Sequence, residues 1–207
     1  MKTPNATHQS TPARKKQILE AALRHFAQRG VDATAVEDIG RDAGIAVSSI
    51  YHHFGGKDKL AAAVYCEGIA RFQDGYASAL EAQTDAHAGI TALVFFHLDW
   101  VAANPDWARY LFNTRRKHFD AEQEQALSQL NQAFHARLGQ WFRPRIEKGE
   151  LRALPFDTYV ALLVGPCQEL ARGYLGNRLA SSMEELKQTT AEALWRAVAN
   201  APTDQGD

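Results

Sequence analysis

Residues 34–60 read TAVEDIGRDAGIAVSSIYHHFGGKDKL. The spacing predicts two short helices joined by a tight turn. Thr34 and Glu37 stand three apart, as in a capping box, so a helix is expected to open at Thr34 and run to about Ala43. Gly44 breaks it, at a position where a left-handed backbone is expected. A second short helix is expected from Val47 to His53, stopped by Gly55 and Gly56. Two short helices across a three-residue glycine turn form a helix-turn-helix. The second helix has few large apolar residues. Ile50 and Phe54, four apart, anchor one face, and Val47, Ser48, Ser49 and His52 point elsewhere. A helix pinned on one side and small and polar on the other fits a DNA major groove. Tyr51 can reach a phosphate oxygen or can pack as an ordinary aromatic. Lys57 adds a cation at the next helix start, which suits an anion.

Outward from this stretch, helical spacing dominates and no alternating strand pattern or internal repeat appears. Residues 1–10 are polar and expected to be disordered. Thr11 and Pro12 signal a helix start. Ile18, Ala22 and Phe26 recur every four residues, with Leu19 and Leu23 beside them, until Gly30 ends the run. Beyond the quoted stretch a long fourth helix is expected from Asp58 to about Glu81. Others follow from His87 to Ala103, from Pro105 to about Lys117, and from a cap at Asp120 toward Gly149. The last two run from a cap at Asp157 to about Asn177, and from a cap at Ser182 to about Asn200. The fold class is therefore all-α with about nine helices: a three-helix helix-turn-helix head over 11–57, a helical body over 58–200 and a disordered tail over 201–207.

Composition narrows the partners. The 207 residues suffice for a sizeable core, and 45% hydrophobic content is ordinary for a globular chain. No apolar run approaches the roughly 20 residues of a membrane span. The N-terminal segment has no apolar stretch of the secretory kind, and Cys66 and Cys167 lack metal spacing, so a reducing, cytoplasmic setting is expected. The net charge of −1 hides an asymmetry: residues 1–60 carry nine Lys/Arg against six Asp/Glu, the remainder 14 against 18. A mildly basic head on an acidic body suits a head that meets an anion. No nucleophile triad, phosphate loop or metal-binding pair is present, so no enzyme, cofactor or metal is implied. His52 and His53 point about 100° apart on a helix and make a poor chelating pair.

Together with the preceding RKKQILEAALRHFAQRGVDAT, the quoted stretch resembles the DNA-binding motif of the tetracycline-repressor (TetR) family. The matching residues are Thr34, Ile39, Ala43, Gly44, Ile50, Tyr51, His53, Phe54, Lys57 and Leu60, within roughly 12–65. The resemblance implies a transcriptional repressor: a homodimer that places residues 47–53 in successive major grooves of a pseudo-palindromic operator, and that a small-molecule effector releases. By that implication Thr34, Ser49, Tyr51 and Lys57 contact phosphate, while Arg41, Val47, Ser48 and His52 read bases. Arg14, Lys15 and Lys16 either touch flanking DNA or form a solvated charge run. Two departures stand out: Ala46 where the family has a capping Ser, and Gly40 where it has Ala. A DNA-structuring or nucleoid-associated factor on the same fold, without an effector, is the alternative.

In the body, aromatic and polar residues nominate an effector site: Phe96, His97, Trp100, Trp107, Tyr110, Phe112, His118, Phe134, Trp141, Cys167 and Gln168. Core packing would use the same rings. Pro166 lies inside the helix starting near Asp157 and removes one backbone bond there. Apolar stripes on the last two helices hold Leu162, Leu163, Leu170, Tyr174, Leu186, Leu194 and Val198. They suit a core or, by the resemblance, a four-helix dimer interface.

Overall fold

A computed structural model describes residues 11–114 and 119–200. Among them the elements are α1 (Thr11–Arg29), α2 (Val36–Ala43), α3 (Val47–Phe54), α4 (Lys57–Glu81), α5 (Ala86–Ala103), α6 (Pro105–Asn113), α7 (Ala121–Glu147), α8 (Phe156–Leu175) and α9 (Met183–Val198). The all-α expectation holds, with element starts mostly within two residues of the sequence reading.

Local chemistry explains most ends. Asp120 and Gln123 form a reciprocal capping box at α7, and the Ser182 side chain accepts from the Glu185 amide at α9. Gly44, at φ 65°, turns the chain between α2 and α3, and Gly55 ends α3 at φ 79°, both in the left-handed region. Two expected caps do not form. The α8 N-cap is Pro155, not Asp157. At α2 the N-cap is Ala35 without a side-chain bond, and the helix opens at Val36. Thr34 instead donates its hydroxyl to the Gly30 carbonyl at 2.7 Å, which ties the loop to the end of α1.

Two main apolar clusters organise the chain. The first joins Ile18, Phe26, Ile39 and Ile50 of α1–α3 to Leu60 and Val64 of α4 and to Trp107 and Tyr110 of α6. The second joins the C-terminal half of α4 to α5, α7, α8 and α9, through Tyr76, Leu93, Trp141, Leu163 and Val198 among others. Helix α4 thus serves both clusters, and α6 reaches the first from the body side. Tyr110 stacks on Phe26, ring centroids 5.8 Å apart, and donates its hydroxyl to the Ala61 carbonyl at 2.7 Å.

Helix α5 is long and apolar enough to cross a membrane by length and composition alone, contrary to the run-length reading. Eight of its residues are buried among the neighbouring helices, and a core position accounts for its composition. Helix α8 continues through Pro166, which is exposed along with Gly165.

Candidate nucleic-acid interface and ligand cavity

Helix α3 is held from one side. Ile50 is buried in the first cluster, with Val47 and Phe54 packed at its edge. The opposite side is open: Ser48 and His52 are exposed, Ser49 is half-buried, and Tyr51 is 49% exposed. No side chain caps α3 at Ala46, as the sequence suggested. Gly40 has a reason to be glycine here. A Cβ on it would meet the Ile45 carbonyl oxygen at 2.8 Å, so the α2–α3 turn sits closer than alanine permits.

The charges around this face are mostly positive. Arg14 and Lys15 from α1 act electrostatically on His53. Desolvation, then His52, Lys15 and Arg14, hold the His53 imidazole below its ordinary range. Arg41 is exposed, its guanidinium 2.9 Å from Asp38. Asp38 and Asp42 also take Arg29 and Arg24 of α1, fastening α2 to α1.

Two residues nominated as phosphate contacts occupy structural positions. Thr34 is 2% exposed and its hydroxyl is spent on the Gly30 carbonyl, so its side chain does not present a donor at the surface. Lys57 donates to the Asp32 and Thr34 carbonyls, both at 3.1 Å, and pins the α1–α2 loop to the start of α4. One of its three ammonium protons stays uncommitted.

In the body a cavity of about 170 Å³ lies between α4, α7 and α8, with Leu93 of α5 at its back. Phe72, Tyr76, Phe134, Phe142 and Val160 are among its walls. At its mouth His135 lies against Phe156, ring centroids 4.8 Å apart, and Gln73 donates to Asn131 at 2.8 Å. A larger cleft of about 530 Å³ between the end of α1 and α6 is open to solvent and bordered by Arg29, Arg109 and loop backbone. The two differ chiefly in their walls: those of the cleft are as polar as apolar, whereas those between α4, α7 and α8 are almost wholly apolar and suit an apolar molecule.

The effector-site nominations distribute unevenly around that cavity. Phe134 lines it. Phe96, His97 and Trp100 stand behind it, each in ring contact with Phe72. Trp107 and Tyr110 do not reach it; both belong to the cluster shared with α1–α3. Phe112 packs with Val101, Ala108 and Ala171. Trp141 donates its indole N–H to the Gln83 carbonyl at 2.9 Å and closes the α4–α5 end of the body. Cys167 is fully buried in the core, and burial pushes its thiol up to about 12, which leaves it an inert apolar neighbour. Gln168 is half-buried on α8 but does not line the cavity. His118 lies outside the described residues. The sequence reading missed Phe72 and Tyr76; their spacing of four on α4 was the available signal.

Of the interface nominations, Leu163, Leu194 and Val198 are buried in the core of the single chain and cannot meet a partner directly. An apolar stripe looks alike in both settings. Leu162, Leu170 and Leu186 are half-buried and Tyr174 is exposed.

The described fold, with a short helix open on one face after a glycine turn, is that of a helix-turn-helix DNA-binding protein. Residues 18–64 match the family described as "Bacterial regulatory proteins, tetR family". The HTH-type transcriptional repressor KstR2 of Rhodococcus jostii is 31% identical over 122 residues, covering 58% of this chain and 59% of that protein. The chain thus matches less than two thirds of that relative's length. A TetR family transcription regulator from Marinobacter aquaeolei superposes with a TM-score of 0.77 at 19% identity, covering 92% of this chain and 97% of that one. The regulator FadR from Bacillus subtilis, in complex with stearoyl-CoA, gives 0.72 at 19% identity, covering 86% and 96%. These two show a shared fold.

Proposed function

We propose that the protein is a transcriptional repressor that binds a pseudo-palindromic operator as a homodimer and leaves it when a small apolar molecule enters the body. The observation that carries this reading is the open face of α3, with Ser48, Tyr51 and His52 presented beside the basic start of α1. Small hydroxyls and an imidazole suit base edges, and the nearby cations suit phosphate. In this reading 11–57 is the DNA-reading unit, 58–200 holds the effector and pairs with a second copy, and the protein works in the cytoplasm. Leu162, Leu170, Tyr174 and Leu186 are the pairing candidates that remain on the surface of α8 and α9. The repressor KstR2 among the relatives supports the sign of regulation. The FadR complex with stearoyl-CoA, whose acyl chain is apolar, supports a small-molecule effector on this fold.

Release works through α4. Its first turns pack with α1–α3 and its later turns wall the cavity. A ligand that favours one placement of α4 shifts the distance between the two α3 helices of a dimer, which must match half-sites about 34–36 Å apart. A coupling of about 1–3 kcal/mol changes occupancy roughly 5–150-fold. The test is selection of bound fragments from a random duplex library by the purified chain. A palindromic consensus with submicromolar affinity is expected. Failure to retain any duplex at low salt overturns the reading; scattered sites without a consensus favour a DNA-structuring role.

A further inference from the structure

His97 is the one buried histidine whose two ring nitrogens both lack a hydrogen-bond partner among the described residues, and it is 1% exposed. An imidazole always carries at least one N–H and, when neutral, one lone pair, so two hydrogen-bonding positions go unmet. Burying such a group unpaired is destabilising, because it gives up its bonds to water and gains none. A core built for stability alone would hold Leu or Phe there, so an unpaired buried imidazole calls for a partner that the described residues do not supply.

Its position says which ligand site. His97 follows Leu93 by one turn on α5, and Leu93 lines the cavity. The imidazole packs edge-on against Phe72 at 5.0 Å and Tyr76 at 6.3 Å, centroid to centroid, and both rings are cavity walls. Phe72 and Tyr76 therefore touch both the imidazole and the cavity, and a ligand reaches His97 only if Phe72 turns aside. The remaining polar groups around the space are largely committed. The Tyr159 hydroxyl donates to the Arg152 carbonyl, and Gln73 is bonded to Asn131 at the mouth. Tyr76 is buried and lines the inner end of the space.

We propose that His97 is the polar anchor of the effector, which is an uncharged, ring-sized apolar molecule carrying one hydroxyl or carbonyl group. This deepens the effector reading above and rests on it. Size follows from volume: an engineered apolar cavity of about 150 Å³ binds benzene, and the cavity here is about 170 Å³. Charge follows from the walls. Among the described residues no Lys or Arg lines the cavity and His135 stands only at its mouth, so a carboxylate at the inner end would lack a counter-ion. Burial also holds the imidazole neutral, with no charged neighbour acting on it. A neutral imidazole accepts from a hydroxyl or donates to a carbonyl without a change in charge.

The experiment uses the full chain and three probes of one size: phenol, toluene and benzoate. Calorimetric titration should show phenol binding at least tenfold more tightly than toluene, with benzoate weakest. Phenol should shift the His97 imidazole nitrogen resonances in the wild-type protein, and toluene should not. In His97→Phe the preference for phenol over toluene should vanish. Equal binding of phenol and toluene, tightest binding by benzoate, absence of binding by all three, or phenol binding with unmoved His97 resonances each overturns the anchor. All these readouts are made without DNA. Phenol binding that follows the expected pattern but leaves operator affinity unchanged would instead count against the repressor mechanism and leave the anchor standing.

Discussion

Gly68 lies directly under the indole of Trp107: a Cβ built on the glycine would stand 2.6 Å from Cε3 and 2.8 Å from Cζ3 of that ring. Helices α4 and α6 therefore meet backbone to ring, and the Arg71 guanidinium covers the same indole at 5.2 Å. Trp107 also packs with Leu60, Val64 and Tyr110 in the cluster shared with α1–α3. Displacement of α6 is thus passed to the part of α4 nearest α1–α3. The Gly68→Ala chain should lose about 1–3 kcal/mol of stability through overpacking and show an altered near-ultraviolet signal from Trp107. Urea unfolding compared with wild type checks this, and an unchanged midpoint would show that the contact gives way freely.

The open face of α3 separates two kinds of contact that mutations should resolve. Ser48→Ala and His52→Ala remove groups facing outward, His52 resting edge-on against its neighbour His53 at 5.4 Å between ring centroids. Each should relax discrimination at particular operator positions, by about 1–3 kcal/mol for a base-reading contact. Lys15→Ala should weaken all duplexes alike and reduce the slope of log affinity against log salt by about 1. Competition binding against single-base operator variants at several salt concentrations distinguishes the two patterns. If Lys15→Ala leaves the slope unaltered, the basic start of α1 is a solvated charge run.

The contrast between α3 and the body explains what could be read from the chain. The glycines at 44 and 55, the uncapped Ala46 and the anchor Ile50 each act within a few residues, so local pattern sufficed. Thr34 misled because its hydroxyl can accept from the Glu37 amide three residues on, as a cap, or donate to the Gly30 carbonyl four residues back. The bond to Gly30 forms, which only the path of the α1–α2 loop decides. The cavity was out of reach for another reason. Ring density pointed to α5 and α6, but Trp107, Tyr110 and Trp141 fill contacts between helices. The cavity walls are drawn from α4, α7 and α8, which are far apart in sequence. Leu163, Leu194 and Val198 show the same limit, since spacing identifies an apolar face and not what covers it.

Arg145 holds the end of the body opposite α3. Its guanidinium lies 3.6 Å over the Trp141 ring and donates to the carbonyls of Trp141, Gln83 and Thr84 at 2.8, 3.1 and 2.8 Å. A lysine ammonium cannot stack in plane on the indole and serve separated carbonyls together. Arg145→Lys should therefore cost about 1–2 kcal/mol, the scale of one or two lost charge-assisted hydrogen bonds, and loosen the α4–α5 turn. Chemical denaturation measures the loss, and amide exchange at Gln83 and Thr84 locates it. Wild-type stability in Arg145→Lys would mean that charge, rather than the planar fork, is what this position requires.

The unpaired imidazole of His97 should leave a signature in acid that needs no ligand. Burial lowers its pKa to about 4, while in the unfolded chain it titrates at its ordinary value of 6.5. Between those values the unfolded chain binds the proton and the folded one does not, so stability falls as pH drops from 6.5 toward 4 and is fully present above 6.5. The shift corresponds to about 3 kcal/mol over that window. Acidic groups such as Glu81, held low first by its hydrogen bond from Arg137, add acid sensitivity of their own, but they are common to wild type and variant and cancel in a difference. His97→Phe should be the more stable protein at pH 7, because it removes an unpaired buried group costing about 1–3 kcal/mol. Its advantage over wild type should then widen by roughly 3 kcal/mol on going to pH 4. Urea midpoints of both proteins across that range decide the matter: parallel curves would mean that the folded chain already gives His97 a partner for its proton.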